Sequence, residues 1–416
     1  MHDEFTRLMM GLGLPAGEYE TGVAVAVSGG ADSTALALLL RDWCAERGFP
    51  LLALTCDHGL RRESAAEARD VADRLRDCGV ETVVLSLRVQ PGTAIQERAR
   101  DARYAAMSSV VRRRGMSLLA LGHHAMDQAE TVAHRLASGS RDPLALAGML
   151  PVRAMQEILL LRPLLECGKG ALKDFLREER MPWVEDPSNA NEGFARVRIR
   201  NALRNDPAEV DRLLDIAREG LCLRRETDTR ATEIRGEAVL RTLPWGASLV
   251  DVARIPRDVA GAEVVRNLLY AASGHHPSAS SERLLAMLEG NRTLGGAETR
   301  FVAGSGTWFS RELAAMSKDG VPARAFAGWD GRIRLADVEV PGGFLGVLGE
   351  AGATWARKAA SIDVPHRVLT SVPCLRDAHG VGLAIPHLGY GPSLPLLPTR
   401  RERPLVASAL VVNNVR

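Results

Sequence analysis

Val23-Ala24-Val25-Ala26-Val27-Ser28-Gly29-Gly30-Ala31-Asp32-Ser33 is the stretch whose reading decides the fold. A short apolar run of strand type turns at Ser-Gly-Gly into Ser33–Arg47, which has the continuous apolar side of a helix. Glycines at such a turn let backbone N–H groups approach phosphate oxygens, and the start of the helix adds a favourable dipole. The hydroxyls of Ser28 and Ser33 can donate to the same oxygens. No Gly-Lys-Ser/Thr follows, so the loop is not of the Walker A type. A carboxylate at Asp32 suits a phosphate site when Mg²⁺ sits between the two.

Outward from this loop, strand-like and helical segments alternate. Leu51–Thr55, Thr82–Leu87 and Ser117–Leu121 read as further strands, while Glu63–Cys78, Thr93–Arg114 and Ala125–Ala137 read as helices. Unbroken apolar strands alternating with helices indicate an α/β fold, a parallel sheet covered on both faces, with ligands beyond the strands' carboxyl ends. Leu159–Leu165 reads as one more strand and Gly170–Glu179 as an amphipathic helix. The chain exceeds the roughly 250–300 residues of one core, and three domains are expected. These are a catalytic domain over 1–205, a mostly helical one over 206–318, and a small C-terminal α+β domain over 319–416 with an extended Pro/Arg tail.

Composition excludes several classes. Net charge is +2 with 46% apolar residues, so the chain is neither a polycation nor a disordered polymer. Of the 53 basic residues only Lys169, Lys173, Lys318 and Lys358 are lysines, a bias that fits a GC-rich genome. The six cysteines show no Cys-x-x-Cys spacing, which argues against a zinc, iron–sulfur or redox site and for a reducing, cytoplasmic compartment. The first residues do not form a signal peptide, and no run approaches the ~18 apolar residues of a membrane span.

Three further groups could carry chemistry. His123, Asp127, Glu130 and His134 are spaced four, three and four apart, which places them on one face of a helix beyond the fourth strand. Such a stripe can bind Mg²⁺, receive an ammonium group or move a proton, unless it is only a solvated face. Arg100, Arg103 and Tyr104 share one side of the preceding helix, where ion pairs with Glu97 and Asp101 are the plain alternative. Arg196, Arg198, Arg200 and Arg204 form the densest positive segment without an acid, matching either RNA phosphates or a solvated face. Asp57 and His58 at a strand end suit a nucleoside or metal contact, or a simple turn.

The string Ser28-Gly29-Gly30-Ala31-Asp32-Ser33 resembles the ATP loop of the N-type ATP pyrophosphatase (PP-loop) superfamily. Cys56–Arg61 with Ser64, Arg100 with Arg103-Tyr104, Gly122–Thr131, Gly148-Met149, Arg162–Leu165, Asp186–Asn189 and Arg196–Arg200 follow in order. Together they resemble the tRNA(Ile)-lysidine synthetase family over roughly residues 20–205. The resemblance implies an adenine nucleotide alpha hydrolase-like catalytic domain, with later domains that grip tRNA. It implies ATP and Mg²⁺ as cofactors and, as partners, free L-lysine and a tRNA(Ile) with anticodon CAU. Lysine would be ligated to C2 of the first anticodon cytidine through an adenylated tRNA, releasing pyrophosphate and AMP. Ser28 to Ser33, Asp57, His58 and Arg100 would then bind ATP. Asp32 would also hold Mg²⁺ and act in catalysis with His123 and Asp127. Glu130, Arg103, Arg196, Arg198 and Arg200 would contact lysine or tRNA. The family's usual Asp-Asp, Asn and Glu are Met126-Asp127, Val197 and Gln96 here. A tRNA thiolase and a catalytically weak nucleotide- or RNA-binding homologue are the rival readings, and the oligomeric state, a dimer included, stays open.

Overall fold

The computed structural model describes residues 1–15, 17–57, 59, 64–87, 95–155, 158–185, 195–317, 320–324, 328–335, 339–359, 362–377, 379, 382–388 and 396–398. Side chains are described for these except 95–97, 195–198, 334, 383 and 396–398. Two compact units are present, the first from Met1 to Glu226 and the second from Thr227 to Glu402.

In the first unit, α1 (His2–Gly11) and α2 (Gly17–Glu20) lead into β1 (Val23–Ala26), α3 (Ala31–Arg47), β2 (Leu51–Asp57), α4 (Ser64–Asp77), β3 (Thr82–Ser86) and α5 (Ile95–Arg113). Then follow β4 (Leu118–Leu121), α6 (Ala125–Ala137), α7 (Pro143–Leu146), β5 (Val152–Met155), β6 (Ile158–Leu161), α8 (Lys169–Glu178), α9 (Ala195–Arg204) and α10 (Pro207–Ala238), which runs into the second unit. The strands order as β3-β2-β1-β4-β6-β5. All pairs are parallel except the β5–β6 hairpin, which the apolar run at 159–165 alone did not disclose.

Alternation along the strands builds two cores. Val23, Val25, Leu118, Ala120, Leu159 and Leu161 face α1, α3 and α8, burying Phe5, Met9, Leu39 and Phe175. Ala24, Leu52, Leu54, Leu119, Leu121, Ile158 and Leu160 face α5, with Met107, Val110 and Val111. Because α3 lies between the sheet and two helices, every residue from Thr34 to Leu40 is buried, which is why its sequence is apolar nearly all round. The chain leaves β1 for β2 and β3, then returns to β4 on the other side of β1. The carboxyl ends of β1 and β4 therefore flank the switch point where α/β sheets take ligands.

The second unit holds β7 (Val239–Thr242), β8 (Ser248–Val250), α11 (Val259–Ser273), α12 (Ser281–Leu285), β9 (Thr293–Leu294), β10 (Ala297–Val302) and β11 (Gly306–Arg311). The region read as mostly helical has its helices, but it also carries an antiparallel sheet of order β7-β8-β11-β10-β9. These strands escape a search for apolar runs because they are short and interleave charge, as in Ala297-Glu-Thr-Arg-Phe-Val302. The glycine-rich stretch beside them supplies hairpin turns, with Gly295, Gly296 and Gly304 at φ 59°, 77° and 76°.

Then come β12 (Val321–Pro322), β13 (Gly328–Trp329), β14 (Ile333–Leu335), β15 (Phe344–Val347), α13 (Gly349–Ala359), α14 (His366–Leu369), β16 (Pro373–Arg376), β17 (Gly382–Ala384) and β18 (Leu396–Pro398). They form sheets β12-β15-β16-β17 and β13-β14-β18. One core draws Leu243, Trp245 and Trp308 together with Leu348, Val368, Val372 and Ile385. The Asp330 side chain is buried between two buried arginines, Arg311 at 2.7 Å and Arg332 at 2.7 Å. No helix among the described residues is long and apolar enough to cross a membrane.

Candidate functional site

The loop after β1 is braced from within. Ser28 N–H donates to Ser33 Oγ (3.1 Å), the Ser33 hydroxyl donates to Gly30 O (3.1 Å), and the two serine Oγ atoms lie 3.2 Å apart. Ser33 is thus largely a strut of the loop. Gly29 sits at φ +84°, and a Cβ there would come within 2.6 Å of Val71 Cγ2. Gly30 is the N-cap of α3, so the first-turn N–H groups of Ala31 to Ser33 have no intrahelical acceptor and remain for an anion. Gly122, just past β4, allows that helix start to approach: a Cβ there would lie 2.9 Å from both Ser33 N and Ser33 Cα.

Asp32 is the charged centre of this side. Its Oδ2 lies 3.5 Å from His124 Nε2 and 3.6 Å from Lys169 Nζ. Burial works against its ionisation, but the hydrogen bond and charge of His124 and the Lys169 ammonium outweigh that, holding the carboxyl below its ordinary range. Asp32 Oδ1 is buried and has no hydrogen-bond partner among the described residues. No cluster of three or more potential metal ligands occurs among them either. One unsatisfied carboxylate oxygen beside a phosphate loop nevertheless fits Mg²⁺, which is commonly held by one or two carboxylates plus substrate phosphates.

His124 links Asp32 to α6. It is 3% exposed and caps the helix, with Met126 N–H donating to Nδ1 (3.1 Å). In return, His124 N–H donates to Asp127 Oδ2 (3.0 Å), and that oxygen lies 3.7 Å from Nε2. With the Nδ1 lone pair engaged, the neutral ring carries its proton on Nε2, facing both carboxylates. Burial lowers the proton affinity of the ring, but the Asp32 hydrogen bond and the charges of Asp127 and Asp32 raise it above the ordinary value.

The helical stripe expected from His123 to His134 is corrected here. Helix α6 begins at Ala125, so His123 lies outside it, and strand alternation decides where it goes. Leu119 and Leu121 face α5, and His123 continues that side; Ala120 faces α3, and Gly122 and His124 continue the other. His123 is set among cations. Burial, then Arg162, Arg100 and Arg103 against the opposing Asp127, depress its pKa to about 4. Its Nδ1 is buried without a partner among the described residues. Arg100 and Arg103 flank the Tyr104 ring at 5.7 and 5.8 Å. His134 is exposed near the far end of α6.

Asp127 and Glu130 do share a face, and both meet Arg200 of α9. Its guanidinium donates to Glu130 through Nε and, at 3.0 Å, through NH2, and to Asp127 Oδ1 at 3.3 Å. The segment that carries no acid of its own is therefore opposed at Arg200 by acids from α6. The side chains of Arg196 and Arg198, and all of His58, lie outside the described residues. Asp57 Oδ1 accepts from Gly59 N–H (2.9 Å) and from the Ser64 hydroxyl. Gln128 holds the Gly148-Met149 loop through Ala147 O (3.2 Å), Met149 O (3.1 Å) and Met149 N–H (2.7 Å). Cys56 stands near the α5 side, where burial pushes its thiol up to about 11. Such a thiol is not poised to carry sulfur.

Four residues that reasoning from the sequence did not assign to the site matter to it: Gly122, His124, Arg162 and Lys169. All but Lys169 lie inside stretches quoted for the family resemblance, and strand alternation past Leu121 is the signal that would have separated the two histidines.

The PP-loop domain family matches residues 5–206. A tRNA(Ile)-lysidine synthase of Mesorhizobium japonicum is 33% identical over 415 residues, covering 94% of this chain and 88% of that protein. One from Ruegeria pomeroyi is 35% identical over 366 residues, 84% and 85% of the two chains. One from Nitratidesulfovibrio vulgaris is 34% identical over 349 residues, 80% and 96%. Among solved structures, a U34-tRNA thiolase from Methanococcus maripaludis superposes on 52% of this chain and 77% of its own, with TM-score 0.40 and 16% identity.

Proposed function

Because the chain belongs to the tRNA(Ile)-lysidine synthase family of PP-loop proteins, we propose that its site joins lysine to a tRNA(Ile) cytidine at the expense of ATP. The protein is an ATP-using ligase that acts on tRNA(Ile). The finer reading has two steps. The C2 oxygen of the first anticodon cytidine attacks the α-phosphate of ATP and releases pyrophosphate. The ε-amine of free lysine then attacks C2 and expels AMP, so a poor leaving oxygen has been made a good one. The base must be unstacked to reach the sheet edge.

One observation carries this reading: His124 joins the carboxylate of the phosphate loop to the first acid of α6, across the switch point. The phosphate half is the loop, the start of α3 and Lys169, a set of donors for phosphate charge that develops during adenylation. Asp32 Oδ1 would hold Mg²⁺, and the ion would supply further neutralisation of phosphate charge when bound. The acid half, Asp127 and Glu130, receives the lysine ammonium and takes its proton before attack. Arg100, Arg103, Arg196 and Arg198 serve ATP or RNA phosphates, and Arg200 sets the two acids of α6. Asp57 and His58 complete the nucleoside side. The reading places the protein in the cytoplasm, with its tRNA.

The test uses a CAU-anticodon transcript, α-labelled ATP and labelled lysine. Pyrophosphate and AMP should appear only with tRNA and Mg²⁺, and lysine should enter the RNA in equal amount. ADP as product, or equal turnover of a transcript with the first anticodon base changed to U, would overturn the reading.

A further inference from the structure

The α5 side of the site carries charge that nothing described there balances. Arg162 follows β6 directly and is 4% exposed. Its NH1 donates to Leu150 O at 2.7 Å, its Nε has no partner, and no carboxylate among the described residues lies within ion-pair distance. A buried guanidinium left without a counter-charge is strongly unfavourable. Burial pushes its pKa down only to about 10, so it stays charged at neutral pH.

Its surroundings add donors, not acceptors. β6 pairs with β4 in the register Leu119↔Leu160, Ala120↔Leu161, and one more step sets Arg162 beside Leu121, two residues from His123. Ile158 and Leu160 face α5, and Arg162 continues that side toward Tyr104, Arg100 and Arg103. Next to it stands His123, half-buried, whose Nδ1 is buried without a partner among the described residues. A charge so enclosed suits a small anion, because a backbone phosphate of RNA brings two flanking nucleosides with it. The opposite polarity begins close by, at Asp127 and Glu130 on α6. Cationic floor and acidic wall together match a zwitterion whose carboxylate and distal ammonium are separated by an alkyl chain.

We propose that Arg162 is a specificity-determining residue that binds the α-carboxylate of the incoming lysine, with Arg103 and His123 as its neighbours. This rests on the ligase reading above and assigns one end of its amine substrate. Lysine is then selected at both ends, and an amine lacking the carboxylate is rejected because it leaves Arg162 unpaired.

Lysine is compared with cadaverine, the same diamine without the carboxylate, as the amine coupled by the full chain to a CAU transcript, with AMP–tRNA formation measured in the same reactions. Wild type should prefer lysine. In Arg162→Gln the KM for lysine should rise roughly 10- to 100-fold, the loss of a charge-assisted bond, while that for cadaverine stays, so the preference collapses. Arg162→Lys keeps the charge without the fork and should fall between, which decides the matter if the glutamine variant does not fold. Equal weakening of both amines would mean that Arg162 only supports the fold. A raised KM for tRNA or ATP with lysine unaffected would mean that its anion is a phosphate. Either result overturns the proposal. If wild type adenylates tRNA but couples neither amine, the ligase reading itself falls.

Discussion

Asp330→Asn removes one charge from the buried trio of the second unit while keeping the side chain's shape. Asp330 accepts from Arg311 NH2 at 2.7 Å and Nε at 3.0 Å, and from Arg332 Nε at 2.7 Å. All three side chains are buried, so the substitution takes from both guanidiniums the negative charge they share. Breaking a buried pair in this way costs about 3–5 kcal/mol. The lower end applies here, because Arg311 keeps Gly296 O (2.6 Å) and Ala315 O (3.0 Å), and Arg332 keeps Trp245 O (3.3 Å) and Ser371 O (3.2 Å). Asparagine also tolerates the backbone at position 330, φ +52°, so no strain is added. At a urea slope of about 1–3 kcal/mol/M the midpoint should fall by about 1–3 M. Tryptophan fluorescence reads it directly, since Trp245, Trp308 and Trp329 are buried in this unit and Arg332 stacks on Trp329 at 5.5 Å. The partners lie on either side of residue 318, and Trp308 shares a core with Val368, so the transition should be single. A triple replacement, Arg311→Met with Asp330→Leu and Arg332→Met, should recover most of the loss. A midpoint shift under about 0.5 M in Asp330→Asn would refute the reasoning.

Two further outcomes are expected. His124→Asn keeps a good N-cap for α6 but removes the ring between Asp32 and Asp127. Thermal stability should therefore change by about 1 kcal/mol or less while tRNA-dependent pyrophosphate release falls at least tenfold; unchanged release would show that His124 only caps the helix. The depressed pKa of His123, about 4, sits below the value of about 6.5 expected in the unfolded chain. The unfolded state then binds a proton that the folded state refuses, so stability falls as pH drops from about 6.5 to about 4, by at most roughly 3 kcal/mol. His123→Gln should flatten that part of a chemical-denaturation pH series, and an unaltered slope there would count against the burial and arginine field invoked.

The legible part of the molecule was its local part. The turn from β1 into α3, the parallel order implied by unbroken apolar strands, and the acids four and seven residues beyond His123 are all short-range patterns. Residues that become partners only through the sheet were not legible. Lys169 is a single lysine at the start of an amphipathic helix, and nothing near it in sequence points to Asp32. Arg200 of α9 looks unopposed because its counter-charges belong to a helix some 70 residues earlier. A helical period carried back to His123 overshoots the start of α6 at Ala125 by two residues. The antiparallel sheet of the second unit is not legible because its strands are two to six residues long and mix polar with apolar side chains.

The two histidines after β4 sit one peptide unit apart and serve environments of opposite electrical character. Parity sorts them: even-numbered positions continue from Ala120 to the loop carboxylate Asp32, odd-numbered ones from Leu121 to the arginines. Loss or gain of one residue between Leu121 and Ala125 would therefore do more than shorten or lengthen a loop. It would invert the assignment, presenting to each chamber the imidazole fitted to its neighbour. This junction should tolerate substitution far better than it tolerates a change of length, and its constraint is one of counting as well as of chemistry.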